Sequence, residues 1–529
     1  MERAVRILVI SDLLPPRMLG GFELACRNLS QGLRDRGHEV LVLTTATDRA
    51  APEQDGWVDR CLALHELFVN VNLEDDGIGR LNRFESRVST VGNSLIVLDR
   101  IRSFAPDHIL MFNLFGIGGI GILDTVRRTG IPWTLNLGDN VPGALLDGTS
   151  GAIRELYDVP GGLFASGSYA IVSETLRDEV IATGVPLGPV EVIPRGALYP
   201  DLARTRDYRD GGVTRFVAAG ILSPHKGVDL MIDAAAGLVE QGLDGFRLEI
   251  YGDGLVDHYR SRIAERGLTG FVSIPGRVDQ RRLFEIHAGS DAFLFPTWER
   301  EPGASAPVEA ASVGCVPIMT ADCGPAEYLV DGVHTLKIAR NAHALADAMA
   351  RVVRGEVDLA ALGAAGRRIA RGDLSFSTSV ERLEAFLGSG DHRVALKLDT
   401  DAIAAEVIRL DDAARRVLLD ELREGKQMGE SEASPPRASA ARRIASLPAR
   451  AVRRLIRPAI SAELAEQRDF LREQRSRIEA DREALAAREA QLAEREKAMN
   501  SLTRAVQKDI LATNRRIDWL ENERQHPGA

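Results

Sequence analysis

Residues 295–309 read FPTWEREPGASAPVE. The stretch starts at the end of an apolar run, Ala292–Pro296, crosses a loop holding Glu301, and enters a helix whose first turn accepts Pro307. Seven residues lie between Glu301 and Glu309. A carboxylate at Glu309 can accept two hydrogen bonds from adjacent ribose hydroxyls, as an acidic residue does in dinucleotide sites. Glu301, in the loop, can face a sugar hydroxyl, and the helix start between them faces phosphate. Two unrelated surface charges at this distance are the plain alternative.

The segment sits in a repeated grammar of short apolar runs and amphipathic helical patterns. Thr214–Ala219, Arg247–Tyr251, Val272–Pro275, Ala292–Pro296 and Cys315–Thr320 read as strands, with Val228–Gln241, Asp257–Glu265 and Gln280–His287 as helices between them. The same grammar runs earlier, with strands at Arg6–Ser11, Glu39–Thr44, Asp107–Asn113 and Trp133–Leu137 and a helix at Gly21–Gly37. Near-continuous apolar strands separated by helices predict a parallel sheet covered on both faces. The chain therefore divides into an α/β domain at 1–196 and a second at 213–388, joined through the Pro, Gly and charged stretch 194–212. Ligands of open α/β sheets bind beyond the C-terminal strand ends, so the informative residues are expected there.

Five strand-end motifs meet that expectation. PPRMLGGFE at 15–23 places Gly20 and Gly21 before a helix, where backbone N–H groups can approach an anion. GILSPHKG at 220–227 puts Lys226 at a strand–helix connection, well placed to neutralise a diphosphate. YGDG at 251–254 either lets the chain pass close to a ligand or merely turns. The Glu301–Glu309 segment is the fourth, and GPAE at 324–327 adds Glu327 at the same rim.

In order and spacing these motifs resemble the family 4 glycosyltransferases over residues 5–388. The chain has the Pro and Gly-Gly loop, RGHEV at 36–40, Lys226–Gly227, Gly252–Gly254, the E-x7-E segment followed by Ala310 and Ala311, Gly314–Pro317 and Gly324–Glu327. The resemblance implies an α/β GT-B fold of two facing Rossmann-like domains. It also implies a retaining transferase that moves a sugar from a nucleotide-diphosphate sugar to a glycan, lipid-linked or small-molecule acceptor, as in polysaccharide biosynthesis. By carry-over, Lys226 contacts the donor phosphates, Glu301 orients the donor sugar beside the reacting carbon, and Glu309 holds the ribose. Gly20 and Gly21 approach the diphosphate or acceptor edge, and Gly220, Gly252 and Glu327 line the donor site. Asp139 is the third catalytic candidate. No cofactor or metal is implied, and no DxD cluster stands at a strand end.

The chain departs from the family pattern at four places. Ile221 stands where an Arg is usual, Gly138–Asp139 where the family has His-Asp, Arg195–Gly196 where it has Asn-Gly, and Gly303–Ala304 where it has Phe-Gly. An altered donor or acceptor explains these changes. So does a non-catalytic scaffold that binds nucleotide or glycan, and a nucleotide-sugar epimerase is a third reading. A separate G-x-G-x-x-G at Gly116, Gly118 and Gly121, with Asp139 beyond it, imitates a dinucleotide fingerprint. It lies in mid-domain, and tight helix packing explains the same glycines.

The rest of the chain adds context. Formal charge is −10, which gives no support to nucleic-acid binding. The four scattered cysteines read as free thiols of a reducing compartment. The N-terminus carries no signal-peptide pattern and no stretch is apolar enough to span a membrane, so a cytoplasmic location is expected. Helical periodicity at 399–424 predicts a helical extension at 389–425, followed by a flexible basic linker at 426–460. The arginines at 442–457 offer contact with an anionic membrane surface at its inner face, or form a merely solvated face. At 461–525, an apolar residue every seven from Leu464 to Val506 predicts a long helix and a homo-oligomeric coiled coil.

Overall fold

The computed structural model describes residues 4–17, 20–46, 56–65, 77–200, 207–298, 301–388 and 399–423. The linker at 426–460, its arginines and the heptad segment at 461–525 lie outside the described residues.

The first lobe is built on a seven-stranded parallel sheet. Its strands are β1 (Arg6–Ile10), β2 (Glu39–Thr45), β3 (Val58–Leu62), β4 (His108–Met111), β5 (Trp133–Leu137), β6 (Ser168–Ile171) and β7 (Val190–Val192), in the order β3-β2-β1-β4-β5-β6-β7. The second lobe has six: β8 (Thr214–Ala219), β9 (Phe246–Tyr251), β10 (Val272–Gly276), β11 (Ala292–Phe295), β12 (Val316–Thr320) and β13 (Leu336–Ile338), in the order β10-β9-β8-β11-β12-β13. All pairings are parallel, in register from Ala292↔Val316 through Phe295↔Met319 in the β11–β12 pair, for example. Every residue of β5 and β12 is buried, as helices on both faces require. This is the two-lobed GT-B architecture, each lobe Rossmann-like.

The order reverses between β1 and β4 in the first sheet and between β8 and β11 in the second. At such a switch point the loops leaving two adjacent strands run to opposite faces and open a crevice. The loops after β8 and β11 are those that carry Lys226 and Glu301.

Strands β3, β6, β7 and β13 are absent from the sequence reading. The strands β6, β7 and β13 are short, and β3 (VDRCL) and β7 (VEV) are edge strands carrying charged residues, which blurs the apolar signal. The domain limits also shift. The helix Phe376–Gly388, grouped by sequence with the second domain, places Val380, Leu383 and Leu387 in the core of the first lobe beside Cys26 and Leu33. The helix Thr400–Arg423 forms as expected and buries Leu410, Ala414 and Leu418 in that lobe's main core. The chain thus crosses to the second lobe and returns. Both lobes belong to one compact unit, Met1–Ser431.

Candidate active site

The second-lobe half of the site is assembled by backbone before side chains enter. Gly227 ends the turn after β8 with φ +73°, and a Cβ there would stand 2.0 Å from the carbonyl oxygen of Pro296. Only glycine allows that approach. Trp298 N–H donates to the His225 carbonyl at 3.0 Å, and the two rings pack with centroids 5.1 Å apart. The loops after β8 and β11 are thereby laced together. Lys226 Nζ and the Glu301 carboxylate meet across the seam as a direct ion pair, with Glu301 buried and Lys226 part-exposed. Gly324 N–H closes the far side by donating to the Glu301 carbonyl at 2.9 Å.

Glu309 lies in the first turn of the helix Ala306–Ser312, with Pro307 near its start as the sequence suggests. The Ser305 hydroxyl donates to its Oε1 at 2.7 Å. Burial raises its carboxyl pKa above the ordinary value, against the opposing effects of that hydrogen bond and the Arg195 charge. Ser305 was not anticipated, though its place four residues before Glu309 on a helix start was a usable signal.

Glu309 and Ser305 line an open cavity between the lobes of about 830 Å³, its solvent-filled mouth included. Its first-lobe wall comes from Gly21, Ala25 and Asn28 on the helix Gly21–Asp35, from Asn136 on β5, and from the Pro194–Gly196 stretch after β7. Arg195 thus reaches the site from a position that sequence marks only as a departure from the family pattern.

The remaining sequence candidates are placed as follows. Gly20 is extended at φ −159°, and its N–H donates to the Glu23 carboxylate at 3.0 Å. Gly21 lines the cavity. Gly220 has φ +152°, and its N–H is taken by the Tyr251 carbonyl at 3.0 Å. A Cβ on Gly252 would lie 1.8 Å from the Gly220 carbonyl oxygen, so protein fills that space. Glu327 faces the first lobe: its carboxylate accepts the N–H groups of Glu174 and Thr175, both at 2.7 Å, and the Thr175 hydroxyl. Asp139 is exposed just beyond β5 and accepts the Asn140 N–H at 2.7 Å. The structure therefore brings Lys226 and Glu301 together at the second-lobe crevice, and places Glu309 on the wall of the interlobe cavity with Gly21 across from it. It commits Gly220, Gly252 and Glu327 to protein contacts.

Two other observations bear on the sequence reading. Ile221, where a second cation was missed, is exposed, while Arg277 pairs with Asp253 at 3.2 Å. The G-x-G-x-x-G glycines serve packing: a Cβ on Gly118 would stand 2.3 Å from Thr90 N, and one on Gly121 3.1 Å from Ser89 Oγ. Among the described residues there is no cluster of three or more His, Cys, Asp or Glu able to hold a metal ion. No helix among them is long and apolar enough to cross a membrane. All four cysteines are free thiols.

Comparison with known proteins bears on both lobes. Residues 20–196 match the family model described as Glycosyl transferase 4-like domain, and residues 208–369 match Glycosyl transferases group 1. A curated relative from Mycobacterium tuberculosis, GDP-mannose-dependent alpha-(1-6)-phosphatidylinositol monomannoside mannosyltransferase, is 28% identical over 238 residues. That match covers 42% of this chain and 61% of the relative, so the chain spans less than two thirds of the relative's length. Among solved structures, sucrose-phosphate synthase from Thermosynechococcus elongatus superposes with a TM-score of 0.55 at 17% identity, over 73% of this chain and 98% of that one. Anabaena HepE in complex with UDP gives 0.54 at 19% identity, over 73% and 100%. At these identities the likeness to the solved structures is one of fold.

Proposed function

From a two-lobed GT-B chain matched in each lobe by a glycosyltransferase family model, we propose a glycosyltransferase that takes its sugar from a nucleotide-diphosphate donor. The observation that carries this reading is the Lys226–Glu301 pair at the switch point of the second sheet, with Glu309 on the adjoining helix facing the interlobe cavity. The second lobe holds the donor and the first lobe presents the acceptor.

The chemistry divides by charge. As the bond to the sugar breaks, the leaving diphosphate gains negative charge and the sugar carbon becomes oxocarbenium-like. Lys226 offers its ammonium to the diphosphate, a preorganised interaction that strengthens as the bond breaks. Glu301, released from Lys226 by the incoming phosphates, turns to the sugar. Glu309 accepts from the ribose hydroxyls, and the Ser305 hydroxyl fixes one of its oxygens beforehand. Closure of the lobes excludes water, the competing acceptor. Retention of anomeric configuration follows if the departing phosphate takes the acceptor's proton on the same face. Glu301 is accordingly not assigned as a general base.

The test begins with calorimetric binding of UDP, GDP, ADP, TDP and CDP and their common sugar conjugates. The mycobacterial relative's name makes GDP-mannose the first donor to try, with a phosphatidylinositol mannoside as first acceptor. Saturable binding of one diphosphate, weakened in Glu309→Ala, is expected. With a matching acceptor, Glu301→Ala is expected to lose at least about 100-fold in transfer at an unchanged melting temperature. Nuclear magnetic resonance of the product then reads the anomeric configuration. Full transfer by Glu301→Ala would remove the central assignment. Donor binding without turnover on a broad acceptor panel would favour a binding scaffold, and isomerised donor formed without acceptor would mark an epimerase.

A further inference from the structure

The donor reading leaves one charge in the cavity unused. Arg195 stands in the stretch after β7, and its backbone is clamped on both sides. Ser379 Oγ donates to the Pro194 carbonyl at 2.8 Å and accepts the Gly196 N–H at 2.9 Å. A Cβ on Gly196 would fall 2.3 Å from the Ser375 carbonyl oxygen, so the clamp tolerates no larger residue. From this base the guanidinium projects between the helix Gly21–Asp35 and the end of β5. Its Cζ lies 5.4 Å from the centroid of the Phe22 ring. Nη1 is 4.0 Å from where a Cβ on Gly21 would be, and Nη2 is 2.6 Å from where one on Gly138 would be.

The guanidinium has no hydrogen-bonded or ion-paired partner among the described residues. Glu301, Glu23 and Glu309 act on it only through space, while burial works against its charge. A cation partly withdrawn from water and left unpaired costs free energy until an anion joins it. The geometry also ties together two departures from the family pattern. Arg195 and the Phe22 ring fill the space in which a side chain at position 138 would begin, so a long side chain at 138 and this arginine conformation exclude one another.

We propose that Arg195 is the second cation of the donor site, gripping the diphosphate opposite Lys226 in place of the cation missing at Ile221. This rests on the donor reading given above. A planar fork of N–H donors suits paired phosphate oxygens better than an ammonium does. Phe22 supports the guanidinium from beneath by a cation–π contact, and the bare backbone at Gly21 leaves its phosphate-facing edge open.

The test is calorimetry with the five nucleoside diphosphates and their parent nucleosides, on the full chain and on Arg195→Met, Arg195→Lys and Gly138→Ala, with melting temperatures alongside. Arg195→Met is expected to lose about 10- to 100-fold in affinity for the diphosphate and to leave nucleoside affinity unchanged. Arg195→Lys is expected to recover part of that loss. Gly138→Ala keeps the charge but displaces Nη2, and is expected to weaken diphosphate binding in the same direction. Wild-type diphosphate affinity in Arg195→Met would overturn the assignment while leaving the donor reading intact. Equal loss of diphosphate and nucleoside affinity would make Arg195 a structural residue and overturn it too. Binding of no diphosphate by the wild type would overturn the donor reading and this assignment together.

Discussion

The acidic residues around the cleft have different tasks because they have different surroundings. Glu301 is buried against a lysine, Glu309 is half-buried and accepts from the Ser305 hydroxyl, and Glu327 is consumed by backbone N–H groups. Asp12, just past β1, is a further case: it is 1% exposed and Oδ2 is without a partner among the described residues. Burial pushes its carboxyl up to about 7, the Leu13 N–H pulls it down, and the Glu23 charge raises it again. The native protein therefore holds this proton more tightly than the unfolded chain does. Between about pH 4 and pH 7 this residue makes the protein less stable as pH rises, because the unfolded carboxyl ionises freely and the folded one does not. Asp12→Asn removes the penalty. Thermal melts should show the variant gaining on the wild type from pH 5 to pH 8, and a difference flat with pH would refute the assignment.

At the scale of elements, the returning helix Thr400–Arg423 is part of the first lobe's core. Leu418 is fully buried there, while its neighbour Leu419 is 47% exposed. Arg415 adds contacts to Asp411 at 2.8 Å and to Glu85 at 3.2 Å. Leu418→Ala should cost the first lobe about 2–5 kcal/mol. Leu419→Ala should stay within about 0.5 kcal/mol. Denaturant unfolding followed on that lobe checks both, and equal effects would mean the helix does not pack as described. The sequence marks this helix by its periodicity but not its destination. An apolar stripe states that a face is buried, and a contact with the helix Val91–Phe104, some 300 residues earlier, is invisible to any local pattern.

At the scale of the whole molecule, the lobes meet through a latch beside the cavity, which Val172 also lines. Glu327 holds the N–H groups at the start of the helix Glu174–Ile181, and the Tyr328 hydroxyl donates to the Val172 carbonyl. Gly324 and Gly303 face the first lobe closely: a Cβ on Gly324 would stand 3.0 Å from Ser173 Oγ, and one on Gly303 2.5 Å from Val172 Cγ2. Sequence placed Glu327 at the donor rim, yet its carboxylate serves the joint between the halves. Glu327→Ala should speed hydrogen exchange at the amides of Glu174 and Thr175 and raise the donor KM severalfold. Unchanged exchange there would mean that the carboxylate does not hold the lobes together.

Composition and periodicity by themselves determined that the chain folds as two parallel α/β units, because a strand buried on both faces must be apolar throughout. The spacing of Lys226, Glu301 and Glu309 was also readable, since Lys226 and Glu301 stand in the loops leaving adjacent strands where topology opens a crevice, and Glu309 is in the first turn of the helix that follows. The position of the Arg195 guanidinium, the filled space beside Gly138, the diversion of Glu327 and the return of the last helix were decided by tertiary structure alone. Each depends on which atoms from distant parts of the chain occupy one small volume. Close packing settles that question only after the chain has folded.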